Sequence, residues 1–459
     1  MRYLIAQTLR WATAILCLAG SLVEGADAPQ LRVATFRSDV TLPLGHLLYR
    51  KPLATVEHPL AAKGIVLDDG RRRYVLCAVD WCTLSNSTHL LFRRKVAAAA
   101  GTDISRVAVQ TVHQHTAPSV NGDAQKLLDQ EENPPQYVNL KFLDEVTDRL
   151  AAAVKKSLCR LQPFDQIGTG QARVNRVAST RRLPIEGGKV RTRWSSCKDP
   201  ELQAMPEGYI DPILRTITLA HGDKPLVRLH YYATHPQSFY GDGRASIDVP
   251  GIARERLEQE ESVFQIYFTG CAGDVAMGKY NDGSRRARDE LAERLHAGME
   301  ASIASTRLVP VSRLEWRTVL LSLPPRTDGD YNVEDNRAKM KNPELSPEER
   351  VGAARRVASA ERLKRPIELS SLRFGHIHIL HLPGEPMVEF QLFAQGLKPE
   401  DFIAVAGYGD CCTGYICTER AFGEEGYEPT ASSVVPRSDG LLKKAIGELL
   451  GVKQDRAGA

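Results

Sequence analysis

Apolar residues recur along the chain in two alternating rhythms. Short runs rich in β-branched and aromatic residues predict strands at 74–79, 107–112, 213–219, 226–232, 263–268, 314–323, 372–382 and 402–406. Between them, apolar residues at three- and four-residue steps predict helices over 90–100, 143–158, 249–258, 286–303, 348–363 and 441–450. Strands alternating with helices argue an α/β fold, a mixed β-sheet core flanked by helices. No internal repeat is visible. Residues 327–364 are charged and poor in apolar side chains, and read as a surface excursion carrying a solvated helix. Residues 121–138 and 181–208 are long, polar and punctuated by Pro and Gly, the character of loops that rim or cover a site.

Three of the strand-like runs lead into metal-ligating side chains. The run at 107–112 opens onto His113 and His115, and an extended chain turns residues i and i+2 to one side, so both rings can face one cavity. The run at 226–232 delivers His235, and that at 372–382 opens through Pro383 and Gly384 onto Glu385. Neutral imidazole is the commonest protein ligand for zinc, and a catalytic zinc takes three protein ligands and keeps one position open. Two histidines and a carboxylate thus form a candidate metal site at the carboxyl ends of strands, where α/β sheets gather their ligands. Each residue taken alone also suits a hydrogen-bonded core position, and spacing does not by itself bring the three together.

Composition narrows the setting. Arg2 and Arg10, an apolar stretch over 11–23 and small residues around Gly25 and Ala26 read as a Sec-type signal peptide over 1–26, which predicts an exported protein, periplasmic or extracellular. No later segment is long and apolar enough to span a bilayer. A hydrophobic content of 42% suits a large core, in one domain or two tightly joined lobes. The net charge of +4 is small for 459 residues and gives no reason to expect a nucleic-acid partner. Outside the leader stand Cys77, Cys82, Cys159, Cys197, Cys271, Cys411, Cys412 and Cys417. Cys411, Cys412 and Cys417 read as disulfides or buried thiols rather than zinc ligands, because no second Cys pair has zinc-ribbon spacing.

Six short elements then fall in a familiar order: His113-Gln114-His115, His235-Pro236, Asp248-Val249-Pro250-Gly251, Ala272-Gly273-Asp274-Val275, Pro383-Gly384-Glu385, and the pair Tyr415 and Tyr427. Together they resemble the catalytic domain of the neutral, non-lysosomal ceramidases, zinc amidases that release a fatty acid from an N-acylsphingoid. The segments Arg193-Trp194-Ser195-Ser196 and Gly278-Lys279-Tyr280-Asn281 look more like a ceramidase-like branch of bacterial secreted proteins.

The resemblance implies a zinc-dependent hydrolase of linear amide bonds. Its substrate would be an N-acyl lipid or another small amide, met in peripheral contact with a membrane. It carries one zinc onto His113, His235, Glu385 and Tyr415, and active-site roles onto His115, Tyr427 and, in Val174-Asn175-Arg176, Arg176. On this reading His115 moves the proton while Tyr427 and Arg176 donate hydrogen bonds to the developing oxyanion. Asp248 and Asp274 either orient the histidine rings through their N–H groups or simply shape turns, and Asp80 either lines the pocket or caps 83–100.

Two departures stand out. Ala276 follows Gly273-Asp274-Val275 where the family often has Ser, and the chain ends soon after Tyr427, without the immunoglobulin-like C-terminal domain that ceramidases append. Residues 27–459 are therefore read as a catalytic domain alone. A zinc hydrolase of another linear amide or ester, and a non-catalytic exported binding protein on the same scaffold, remain as alternative readings.

Overall fold

The structure is a computed structural model that describes residues 30–48, 51–239 and 241–452. The leader read over 1–26 lies outside them.

Three sheets carry the fold. The first has the strand order Val107–Thr111, Arg73–Val79, Ala61–Asp68, Arg32–Asp39, Gln162–Pro163. The second runs Phe264–Thr269, Lys224–Tyr232, Ile213–His221, Gln166–Arg173, Arg307–Pro310. The third runs Glu315–Leu321, Ile367–Phe374, Ile377–His381, Phe402–Ala406. Each is antiparallel except for one parallel pair at one edge: Arg73–Val79 with Val107–Thr111, Lys224–Tyr232 with Phe264–Thr269, and Ile377–His381 with Phe402–Ala406. A parallel pair needs a long crossover, and a helix supplies it each time: Ser87–Ala100, Asp248–Glu261 and Val388–Leu397. The chain thus repeats one βαβ plan three times without any repeat in its sequence.

Strands such as Ala61–Asp68, Arg73–Val79 and Val107–Thr111 are buried on both faces, which is why they read as near-continuous apolar runs. Along Arg73–Val79, Tyr74, Leu76 and Ala78 point into a central cluster shared with Ile217 and Leu229 of the second sheet and Leu372 and Ile379 of the third. Val75, Cys77 and Val79 point the other way, toward Phe92 and Val96 of Ser87–Ala100 and Val146 and Leu150 of Leu140–Ser157. Helix Ser438–Leu450 packs Leu442, Ile446 and Leu449 against the third sheet.

The parallel edges are stitched together near their carboxyl ends. Gln110 Nε2 donates to the carbonyls of Leu382, Ala406 and Gly407 at 3.0, 3.0 and 2.7 Å, joining the first sheet to the third. Thr269 Oγ1 donates to Val112 O at 2.6 Å, joining the second to the first. Gly407 N donates to Thr269 O at 2.9 Å, which closes the triangle.

Most predicted elements stand within a few residues of their expected limits, and the exceptions have identifiable causes. The run at 372–382 is two strands, Ile367–Phe374 and Ile377–His381, folded back through a tight turn at Gly375 and His376. The segment 327–364 is not a solvated excursion. Its helix Pro347–Leu363 buries Ala353, Ala354, Val357 and Ala358, a face of small residues that scores low for hydrophobicity yet packs closely. The loop expected at 121–138 begins with a helix, Gly122–Leu128. All eight described cysteines are free thiols, Cys159 exposed and the others buried, so no disulfide forms among them. Among the described residues no helix is long and apolar enough to cross a membrane.

Asp80 neither lines the site nor caps a helix. It accepts from Arg254 Nη1 and Nη2 at 2.9 and 3.0 Å and from Ala61 N at 3.0 Å, with both charged side chains 1% exposed. This pair ties helix Asp248–Glu261 to the end of the first sheet, and removing Asp80 would leave the buried Arg254 with Glu255 alone, at 2.9 Å. Asp80→Ala should therefore cost about 3 kcal/mol of stability, read from urea denaturation.

Candidate metal centre and active site

Each sheet contributes one donor to a buried cluster. His113 follows Val107–Thr111 of the first, His235 follows Lys224–Tyr232 of the second, and Glu385 follows Ile377–His381 of the third. His113 Nε2 lies 2.9 Å from His235 Nε2 and 3.1 Å from Glu385 Oε2, and His235 Nε2 lies 3.3 Å from the same oxygen.

The backbone pays heavily in local geometry for this convergence. His113 has φ +72°, a left-handed conformation uncommon for a residue with a side chain. Its N–H is held by Trp81 O at 2.9 Å, and its ring stacks on Tyr408, centroids 4.2 Å apart. Gly384 has φ +62°, and a Cβ there would lie 2.0 Å from Thr413 Oγ1. Gly414 has φ +59°, and its Cβ would lie 2.5 Å from Ala431 O. These two glycines bring Glu385–Pro386 and Tyr415–Ile416 into a short parallel ladder in which Glu385 is paired with Tyr415. The Tyr415 ring consequently lies near-parallel to His235, centroids 6.2 Å apart.

The hydrogen bonds fix the tautomers. His113 Nδ1 meets Cys82 O at 2.7 Å and His235 Nδ1 meets Ala272 O at 2.7 Å. A carbonyl only accepts, so each Nδ1 carries a proton, and in the neutral ring each Nε2 presents a lone pair. Two lone pairs and a carboxylate oxygen in mutual contact repel one another unless a proton or a metal cation lies among them, and the buried Glu385 Oε2 meets no donor among the described residues other than these imidazoles. That donor set fits a divalent cation such as zinc.

The electrostatics agree. Burial opposes charging of His113, but the Glu385 carboxylate and Cys82 outweigh it and lift its pKa to about 10. Burial would raise Glu385, yet His113 and His235 hold it well below the usual carboxylate range. Burial and the neighbouring charges bring His235 down to about 4. His115, whose Nε2 is 3.4 Å from His113 Nε2, is pushed well below its ordinary value by burial and by His113 and His235. It is therefore a neutral imidazole at physiological pH. Burial drives the Tyr415 phenol far up against the pull of Arg181, so only a stronger positive charge would make it a phenolate.

Arg181 is the cluster's arginine. Its Nε donates to Glu428 Oε1 at 3.0 Å and its Nη2 to Gly273 O at 2.6 Å, while its guanidinium lies over the rings of Tyr415 and Tyr427, 5.2 and 5.5 Å from their centroids. Ring contacts then lead outward: Tyr415 meets Tyr427 edge-on at 5.7 Å, and Tyr427 meets Trp194 at 5.1 Å. Trp194 is 50% and Tyr427 36% exposed, so this aromatic column runs from the cluster to solvent.

No family model and no curated protein sequence matches the chain. Solved structures do. The neutral ceramidase from Pseudomonas aeruginosa superposes with a TM-score of 0.68 at 15% identity, over 94% of this chain and 76% of that one. A ceramidase complexed with C2 gives 0.67 at 15%, over 94% and 77%. The chain has the neutral ceramidase fold.

Within that ceramidase fold, His113, His115, His235, Glu385, Tyr415 and Tyr427 come together as the sequence led one to expect, but partly for another reason. The strand ends at Thr111, so His113 and His115 converge through the left-handed turn at His113 rather than by alternation, with their rings 88° apart. Arg176 needs correction, and Asp248 and Asp274 take the structural of the two readings open to them. Arg176 is exposed, sits over the Tyr280 ring at 5.7 Å and lines a different, open cleft with Lys279 and Arg294, because its own φ of +58° turns the chain there. Asp248 does not touch a histidine ring; it accepts from Ser238 N and Oγ at 3.1 and 2.5 Å and anchors the loop after His235. Asp274 accepts from Val388 N at 2.8 Å, and so steadies the start of the helix behind Glu385. The rings are oriented by backbone carbonyls instead, which no side-chain motif announces. Arg181 was missed because it stands at the start of 181–208, legible as a rim but not as the donor of one particular guanidinium.

Below about pH 10, His113 in the metal-free chain holds a proton that an incoming cation must displace. Zinc binding at pH 8 should accordingly release about one proton per ion, measured by titration calorimetry in buffers of different ionisation enthalpy. No proton release would show that the ion enters elsewhere.

Proposed function

We propose that the chain is an exported, zinc-dependent hydrolase of a linear amide bond, acting on an N-acyl lipid of the sphingolipid kind. The observation that carries this reading is the meeting of His113, His235 and Glu385 around one point, with neutral His115 beside it and Arg181 behind Tyr415. The ceramidase fold and the leader-like segment 1–26 support it further. His113, His235, Glu385 and Tyr415 are the residues that would hold zinc. Bound there, the ion supplies Lewis acidity toward the scissile carbonyl and an attacking water.

The chain's own groups account for the rest. His115, neutral and one turn of the loop from His113, takes the proton of the attacking water and returns it to the leaving amine, the work of a general base and then acid. Arg181, held in place by Glu428 and Gly273 O, and the Tyr427 phenol donate hydrogen bonds where negative charge grows on the carbonyl oxygen. Trp194 and Tyr427 offer an apolar mouth to a lipid chain and keep bulk water from the reacting atoms. Ala276 does not weaken this scheme. It is buried and paired with Ser179, and an attack by water asks no hydroxyl of that position.

The test is hydrolysis of short-chain N-acylsphingosines by the leader-free chain loaded with zinc. Cleavage should fall by ~10²–10³ on His115→Ala or Arg181→Ala. It should stay close to the parent's rate on Arg176→Ala and gain little on Ala276→Ser. A zinc-loaded chain that leaves these and other linear amides intact would move the binding-protein reading to first place.

A further inference from the structure

Arg181 and Arg182 are neighbours in sequence and face opposite sides of one wall. Glu428, with no exposed surface, accepts from both, at 3.0 Å from Arg181 Nε and 2.9 Å from Arg182 Nη1. Arg181 faces the metal-ligating cluster. Arg182 faces a cavity of about 380 Å³ that none of His113, His115, His235 and Glu385 lines. Its walls include Leu183, Val190, Met205, Tyr209, Met387 and Asp274.

The charges around this cavity are unevenly matched. Glu389 pairs with Arg420 and Lys443, both at 3.3 Å, and Glu424 pairs with Arg182 at 3.1 Å and also with Arg420. Lys189 is engaged by Glu425. Asp274 is different: it is 7% exposed, one oxygen accepts from Val388 N, and no ion pair reaches it among the described residues. A buried carboxylate without an ion pair is costly, and burial, with Glu428 adding to it, pushes its pKa up to about 6 against the weaker pull of Val388 N–H and Arg181. A cation entering the cavity would relieve that cost, whereas an anion would meet Asp274 and find every positive side chain of the wall already engaged.

We propose that this cavity is a second ligand site, for a primary amine carried on an apolar chain, with the ammonium against Asp274 and the chain along Leu183, Val190, Met205 and Met387. The inference does not rest on amide hydrolysis. Its test is titration calorimetry of the leader-free chain with decylamine, below its aggregation threshold, and with decanoate. One decylamine should bind per chain. Decanoate should bind about tenfold more weakly or worse, and Asp274→Asn should weaken decylamine by a similar factor, the loss expected for one charge-assisted contact. Val190→Trp, on a half-exposed strand, should fill the cavity and abolish binding, while His113→Ala should leave it unchanged. Equal binding of decanoate, undiminished binding by a folded Asp274→Asn chain, or binding that survives Val190→Trp would each overturn the proposal. So would its loss in His113→Ala, since the amine would then sit at the metal-ligating cluster. If Asp274→Asn does not fold, Val190→Trp decides alone.

Discussion

The structure depends on three parallel sheet edges exchanging hydrogen bonds at their carboxyl ends. Gln110, Thr269 and Gly407 bind one edge to the next in a closed triangle. Their partners are buried backbone groups, and undocking the edges would take these bonds from Val112 O, Gly407 O and Thr269 O, which favours the docked arrangement. Once the edges are fixed, the residues that follow them have few ways to leave, and three of them leave toward the same point. The ligand-like cluster is thus a product of sheet docking more than of any local motif.

Within that frame the cluster is ordered by neutral acceptors. Carbonyls of Cys82 and Ala272, not carboxylates, receive the Nδ1 protons of His113 and His235. A carbonyl sets ring orientation as firmly as a carboxylate does, but adds no negative charge. Among the described residues Glu385 is the anion in contact with the two rings, so once a cation has displaced the extra proton of His113 the local charge is that of one carboxylate and two neutral imidazoles. The positive charge of Arg181 is held nearby without being spent on Glu385, because Glu428 already balances it.

The sequence revealed the fold class, most of the strands and helices, and the six residues that gather at the cluster. Periodicity found what depends on periodicity. It could not separate Ile367–Phe374 from Ile377–His381, where apolar character continues across a turn. Nor could it see that alanines in Pro347–Leu363 pack as core. The motif points to Arg176 rather than Arg181, because the direction of each side chain is decided by backbone turns that spacing does not encode. Asp248 and Asp274 were legible as important but not as anchors of backbone N–H groups. The carbonyls that orient the histidines belong to residues whose side chains have no part in the matter, so no pattern of residue types would have found them.

One ligand-like residue per sheet has a consequence for how the molecule comes into being. His113, His235 and Glu385 lie far apart along the chain, and contacts of that kind form late because their closure entropy is met before they return any stabilisation. Each sheet can gain its own strands and helix from shorter-range pairings. The reactive arrangement has no such local precursor. It comes into existence only when the third edge docks, so a nascent or partly folded chain carries every one of these residues and none of their chemistry.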